Sequence, residues 1–369
     1  MTLFFELIQV ALGQRSELSR EPSEEEWSAL KAEAQRQALA GILFSAVEQL
    51  PAEQRPDEDL LFQWLADVNR LEKRNALMDR RCLELLRKME EGGLRATILK
   101  GQGVAMLYGP LRGRRQCGDI DLYVDAGLEH LMRRIPREWL GEWGYKHVEL
   151  KSWRDTEVEL HYRVEYINNP VRNRRLQRWF AAHQDELFHR DGEWVTPTLE
   201  MNIFYILLHI YRHFIWQGVG LRQIVDYYFC LRASHSSPKL GEVPQRGGGV
   251  CPQFSIPPGL TRFARGLMWV MGEVLAMPAG WMPWPPDEKE GRFILEQVLA
   301  GGNFGNHAEG LVRTTSRWGK MRRTMRHALH LMRRYPEEAF SAPVWAAYNR
   351  VWKLVYWLKF KIHHVISRK

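Results

Sequence analysis

A chain of 369 residues suits two or three compact units, and 45% apolar content with 15 tryptophans supplies core enough to fold, which excludes a disordered class. Its four cysteines, Cys82, Cys117, Cys230 and Cys251, form no C-x-x-C pair and no metal-ligand spacing, which argues against a disulfide framework or a zinc ribbon. The net charge of +8 is local: residues 311–369 hold 14 of the 52 Lys and Arg but only two of the 44 acids, so they carry +12 and residues 1–310 carry −4.

Attraction to an anionic partner is therefore a property of the tail. The apolar stretch Met1 to Gly13 carries Glu6 and has neither a basic leader nor a small-residue cleavage site, so no secretory signal is expected. The longest apolar run, Ile203 to Leu208, falls far short of the ~20 residues that cross a bilayer. A soluble protein of the reducing cytoplasm, with no transmembrane segment, is expected.

In chain order, residues 1–92 read as a helical N-terminal region, with one amphipathic stretch opening at Glu24-Glu25-Glu26-Trp27 and another from Leu60 to Met89. Pro51 and Pro56 punctuate the two. An α/β core is expected over 93–168. It starts with a strand at Ala96-Thr97-Ile98-Leu99, a glycine turn at Lys100-Gly101-Gln102-Gly103 and a helix from Val104. Period-two alternation marks strands at Asp119–Val124 and Glu157–Tyr162, with a helical stretch from Leu128 to Trp143 and a strand from Tyr145 to Leu150 between them. From Val171 to residue 310 the chain reads as helical, including Leu199–Phe214 and Leu221–Leu231, with a flexible insertion at 234–258 rich in Pro, Gly and Ser. A basic helical tail closes the chain from 311 to 369. The fold class is α+β: a small mixed sheet flanked by helical regions at both ends.

Chemistry concentrates in two strands. In Asp119-Ile120-Asp121-Leu122-Tyr123-Val124, alternation sends Asp119, Asp121 and Tyr123 to one face and the apolar residues to the core. Paired carboxylates on a rigid strand repel, and a divalent cation with oxygen ligands, Mg²⁺ best, relieves that repulsion. Glu157-Val158-Glu159-Leu160-His161 repeats the pattern and offers a third carboxylate, Glu159. The alternative is that both pairs are solvated faces of edge strands. The preceding glycine turn, whose backbone N–H groups can cradle a triphosphate, favours the chemical reading.

Leu99-Lys100-Gly101, Tyr108-Gly109-Pro110-Leu111-Arg112, Arg115-Gln116-Cys117-Gly118-Asp119-Ile120-Asp121 and Glu159-Leu160-His161 resemble the uncharacterised nucleotidyltransferase family of bacteria, within the DNA polymerase β-like nucleotidyltransferase superfamily. The resemblance extends to His209–His213, Gly220-Leu221-Arg222 with Asp226, and Gly302-Asn303-Phe304-Gly305, and spans roughly 95–310. It implies that Asp119, Asp121 and Glu159 bind two Mg²⁺ ions, with Mn²⁺ as a substitute, and that Lys100, Gly101, Gln102, Gly103 and Arg115 hold an NTP such as ATP. Transfer of an NMP to an acceptor would release pyrophosphate, with Glu159 activating the acceptor hydroxyl. In this chain Gln102 stands where superfamily members place a small hydroxyl residue, and 17 residues separate Gly101 from Asp119.

His161, His209, Arg212, His213, Arg222 and Asp226 are candidates for the acceptor side, the acceptor being a small molecule, sugar, peptide, protein or RNA. His209 and His213 also have an i, i+4 spacing that can hold a metal, but no third ligand is evident. Asp226 is expected as a buried partner of Arg222 or of a histidine. Trp352, Tyr356 and Phe360 recur at four-residue spacing, so the tail is expected to pack on the rest of the chain with a basic outer face; the alternative is that its interleaved bases and aromatics meet an anionic partner, nucleic acid or a membrane surface. A second reading of the whole keeps the fold without the catalysis, as a regulatory module of toxin–antitoxin type.

Overall fold

The computed structural model describes residues 2–153, 155–236, 258–301 and 331–366. Most of the 234–258 insertion, the Gly302–Gly305 motif and the tail residues up to 330 lie outside the described residues.

Three N-terminal helices, α1 (Thr2–Ala11), α2 (Glu24–Arg36) and α3 (Ala40–Gln49), precede a 34-residue helix α4 (Glu58–Glu91). A capping box starts α2: Ser23 accepts from the backbone of Glu26, and the Glu26 side chain accepts from the backbone of Ser23. Asp57 caps α4 through the backbone N–H of Leu60. The sheet follows, with β1 (Ala96–Leu99), β2 (Ile120–Val124), β3 (Leu140–Trp143), β4 (His147–Trp153) and β5 (Thr156–His161) in the spatial order β1-β2-β5-β4-β3. Strand β2 pairs antiparallel with β1 and parallel with β5; the other pairings are antiparallel. Between β1 and β2 lie α5 (Lys100–Ala105) and a 3₁₀ run over Met106–Arg114.

Two stretches differ from their sequence patterns. The expected helix Leu128–Trp143 is a two-turn α6 (Leu128–Arg134), after which Pro136 denies the backbone N–H a helix needs and Leu140–Trp143 pairs with β4 as an edge strand. After α7 (Pro170–Ala182), a hairpin β6 (His189–Asp191) and β7 (Trp194–Thr196) turns at Gly192-Glu193, with Gly192 at positive φ, where the pattern read as helix. Helices α8 (Leu199–Trp216), α9 (Leu221–Ser236), α10 (Pro258–Leu275) and α11 (Glu288–Gly301) then follow, and α12 (Pro336–Ile366) ends the described chain.

Two cores organise these elements. One joins α1–α3 and the start of α4 (Trp64, Val68) to α8–α11; the other lies on the sheet, with Cys82 and Leu85 of α4, Ile98, Leu122, Val148 and Leu160, and is covered by Trp345 and Trp352 of α12. Helix α4 belongs to both. Helix α12 packs on the chain as expected, but its exposed side is amphipathic rather than purely basic: Phe340, Val351 and Leu354 are exposed along with Arg350, Lys353, Lys359 and Lys361. Among the described residues no helix is long and apolar enough to cross a membrane.

Candidate active site

Strand register assembles the centre. Because β2 lies between β1 and β5, Asp121 faces Glu159 on one side and Leu99 on the other, and Lys100 follows Leu99 directly. Oxygens of Asp119, Asp121 and Glu159 all fall within 4.8 Å of one another, although Asp119 sits just ahead of the strand. Lys100 Nζ reaches Asp121 Oδ1 at 2.7 Å. His161, fully buried, brings Nε2 to 2.8 Å from Asp121 Oδ1 and 3.1 Å from Glu159 Oε2. The Nδ1 of His161 is buried with no partner among the described residues, so Nε2 is the ring nitrogen whose N–H is donated to the two carboxylates. His161 therefore orients the carboxylates from behind and does not line the cavity.

The charges are unequally balanced. The negative charge of Asp121, then burial, raises the Asp119 carboxyl to about 6. Burial opposes ionisation of Asp121, yet Lys100 and the hydrogen bond from His161 hold it below the usual range. Glu159 is partly buried, which opposes its charge, but His147 and His161 hold its carboxyl well below normal, so it stays ionised. Burial works against the charge of Lys100 as well, but the three carboxylates outweigh it and raise its amine. Three carboxylates thus face one amine, and Asp119 shows the surplus. Hard oxygen donors at this spacing fit a divalent cation such as Mg²⁺. A second group, His147, Glu159 and His161, has the same proximity. To ligate through Nε2, His161 would have to move its proton to an Nδ1 that has no acceptor, so this group does not fit a metal as well.

The turn at Lys100–Gly103 is tight. Lys100 and Gly101 both have positive φ, 42° and 34°, and at Gly103 a Cβ would meet the carbonyl oxygen of Ile98 at 2.6 Å. Lys100 and Gly101 line a cavity of about 250 Å³ that opens on the carboxylates. Gln102 and Gly103 do not line it. Both polar atoms of the Gln102 side chain are buried without a partner among the described residues.

The rest of the cavity wall comes from Lys146 and His147 at the head of β4, from His209, Arg212 and His213 of α8, and from Arg222 and Asp226 of α9, with Arg115. Asp226 is committed to Arg115, not to Arg222 or a histidine as expected: its carboxylate accepts from Arg115 Nε at 2.6 Å and Nη2 at 2.7 Å, and from the Tyr108 hydroxyl at 2.6 Å. Arg222 instead donates to the carbonyl of Gln116. Arg115 is thereby fixed as a structural clamp at the cavity edge. Sequence reasoning missed Glu165, which is fully buried and accepts from His209 Nδ1 at 3.0 Å and Arg212 at 2.8 Å, with Lys146 Nζ at 3.5 Å. Burial drives the Lys146 amine down to about 8 and His209 to about 3, so that ring stays neutral at ordinary pH. Among the described residues no third ligand joins His209 and His213 into a metal group.

The loop that leads to Asp119 is held by the N-terminal helices. Asn75 of α4 donates to the carbonyls of Gly113 (2.7 Å) and Arg115 (2.8 Å), and Arg114 pairs with Glu48 and Glu72. No curated protein and no solved structure matches the chain. A family model described as "uncharacterised nucleotidyltransferase" matches residues 23–246; it takes in α2–α4, which the sequence resemblance left out, and stops short of 247–310, which that resemblance included. With that match over more than half its length, the chain belongs to the uncharacterised nucleotidyltransferase family.

Proposed function

We propose that the cavity transfers a nucleoside monophosphate from an NTP to an acceptor oxygen, with release of pyrophosphate. The observation that carries this reading is the cluster of Asp119, Asp121 and Glu159 opening on a cavity lined by Lys100, Lys146, Arg212 and Arg222. Anionic residues at one end suit a metal; cations around the rest suit a polyphosphate.

Asp119, Asp121 and Glu159 would hold divalent cations, which when bound polarise the α-phosphate and offset charge on the attacking and leaving oxygens. The chain's own residues do the remainder. The acceptor oxygen attacks the α-phosphorus in line, the bond from that phosphorus to the bridging oxygen breaks, and pyrophosphate departs with its charge toward the cationic wall. The acceptor proton leaves to a carboxylate of the cluster, for which the resemblance points to Glu159. His161 keeps Asp121 and Glu159 in place. Lys100 hands its positive charge from Asp121 toward the phosphates.

The test measures pyrophosphate release from each of the four NTPs with Mg²⁺ or Mn²⁺, alongside thermal stabilisation by the same pairs, since a ligand that binds only the native state raises the midpoint. One NTP with metal should stabilise the chain and turn over. Asp119→Asn with Asp121→Asn should lower turnover by about a hundredfold or more. Unchanged metal-dependent turnover in that variant would place the chemistry elsewhere.

A further inference from the structure

The described C-terminal helix shows two different faces. Its inner face is aromatic and used: Trp345 and Trp352 are buried, Trp352 lies 5.8 Å from Trp143 and 5.3 Å from Tyr145, and Phe360 lies 5.7 Å from Trp143. Its outer face is apolar and covered by nothing among the described residues. Phe340, Val344, Val351, Leu354, Val355 and Leu358 are each 44–69% exposed, and their spacing of three, four and seven places them in one stripe along the helix. Contiguous exposed apolar surface of this length on a folded chain marks an interaction site.

Charge identifies the occupant. At 3.6 residues per turn, Arg350 and Lys361 border the stripe on one side, with Trp357 beside them and Lys361 Nζ 4.0 Å over its ring. Lys359 borders it on the other side, paired with Glu129 at 2.9 Å. The only acids of the helix stand in its first turn, where Glu337 pairs with Arg172 and Glu338 is buried; none follows from 339 to the end of the chain. A second copy of the helix would bring cations against cations along both borders, where paired helices need opposite charges. The sequence of 311–330, with six Lys or Arg and no acid, offers no better complement. An apolar stripe bordered by cations and an exposed Trp matches the boundary between acyl chains and anionic headgroups.

We infer that α12 seats the protein on an anionic membrane surface, with the Phe340–Leu358 stripe in the acyl boundary and Arg350 and Lys361 at the headgroup phosphates. The helix lies in the plane of the interface. Its inner aromatics stay on the sheet, so docking needs no rearrangement of the core, and the inference stands independently of the proposed transfer reaction.

The full chain is centrifuged with vesicles of phosphatidylcholine alone and with vesicles containing phosphatidylglycerol, and its oligomeric state is measured by sedimentation. Wild-type protein should pellet with the anionic vesicles only, and less at high salt. Arg350→Glu with Lys361→Glu should bind more than tenfold more weakly, since each cation near an anionic surface contributes roughly fivefold in affinity. Val351→Glu with Leu358→Glu should abolish binding without moving the unfolding midpoint, because both side chains are exposed. The inference fails if wild-type protein ignores anionic vesicles, if it binds both vesicle types alike, or if the stripe variants bind as wild type. It fails equally if the stripe proves to hold a dimer, lost on Val351→Glu with Leu358→Glu and indifferent to lipid.

Discussion

Arg115 shows how a residue can stand at a site without serving its chemistry. Its guanidinium is buried and bidentate on Asp226, so removing it strands a carboxylate whose remaining side-chain partner in that clamp is the Tyr108 hydroxyl. Arg115→Met should destabilise the chain by ~3–5 kcal/mol in urea unfolding, and adding Asp226→Leu should recover most of that loss, since an apolar pair replaces a buried ion pair at little cost. If the single variant unfolds like wild type, the clamp is not structural. Lys100 is the opposite case, because its amine is the one lysine charge among three carboxylates. In Lys100→Met, the metal-free midpoint should fall while Mg²⁺ raises it by more than in wild type; equal stabilisation by Mg²⁺ in both would mean that Lys100 does not share the carboxylates' charge. The carboxylates themselves were legible in sequence, because a period of two on strands fixes which side chains share a face. Glu165 was not: it follows β5 in irregular backbone, and what makes it matter is burial against Lys146, His209 and Arg212, which no local pattern encodes.

At the scale of elements, the loop before β2 depends on a helix far away in sequence. Asn75 donates to two carbonyls of that loop, so Asn75→Ala leaves both short of a donor and should cost about 1–3 kcal/mol while weakening Mg²⁺ binding through a looser Asp119. Normal Mg²⁺ affinity at reduced stability would show that the loop does not need this tie. The start of α12 carries a pH dependence of its own. Burial, then the neighbouring Glu337, raises the Glu338 carboxyl to about 7. A raised acid binds its proton more tightly in the folded chain, so this contribution is complete below about 4.5 and is lost as pH rises through 7. The change is roughly 3 kcal/mol, and Glu338→Gln should flatten the stability profile across that window. A wild-type profile already flat there would refute it. Element types came through the sequence wherever periodicity ran long, as in α4, α8 and α9. They failed at Leu128–Trp143, where a helix-like apolar spacing outlasts the helix that Pro136 ends, and at 189–196, where two three-residue strands are too short to show a period.

Across the whole molecule, α4 is the element that makes one body of two cores. Trp64 and Val68 pack with α1–α3 and the helices from α8 on, whereas Cys82, Leu85 and Leu86 pack beneath the sheet that carries Asp121 and Glu159. A continuous 34-residue helix transmits loss of order from one core to the other, since unravelling one half strips the other of an intact wall. The family match from residue 23 agrees with this dependence, because it includes helices that contribute no side chain to the cavity. The consequence is measurable with one substitution in each core. Leu43→Ala, in α3, and Leu85→Ala, in α4 beneath the sheet, both empty fully buried positions and should each cost ~2–5 kcal/mol. In a cooperative molecule each lowers a single transition seen alike by far-ultraviolet dichroism and by Mg²⁺-dependent stabilisation of the carboxylate site. Were the N-terminal helices an independent unit, Leu43→Ala would split the dichroism transition and leave the Mg²⁺-dependent one where it was; that pattern would assign the tie between α4 and the loop before β2 a minor role.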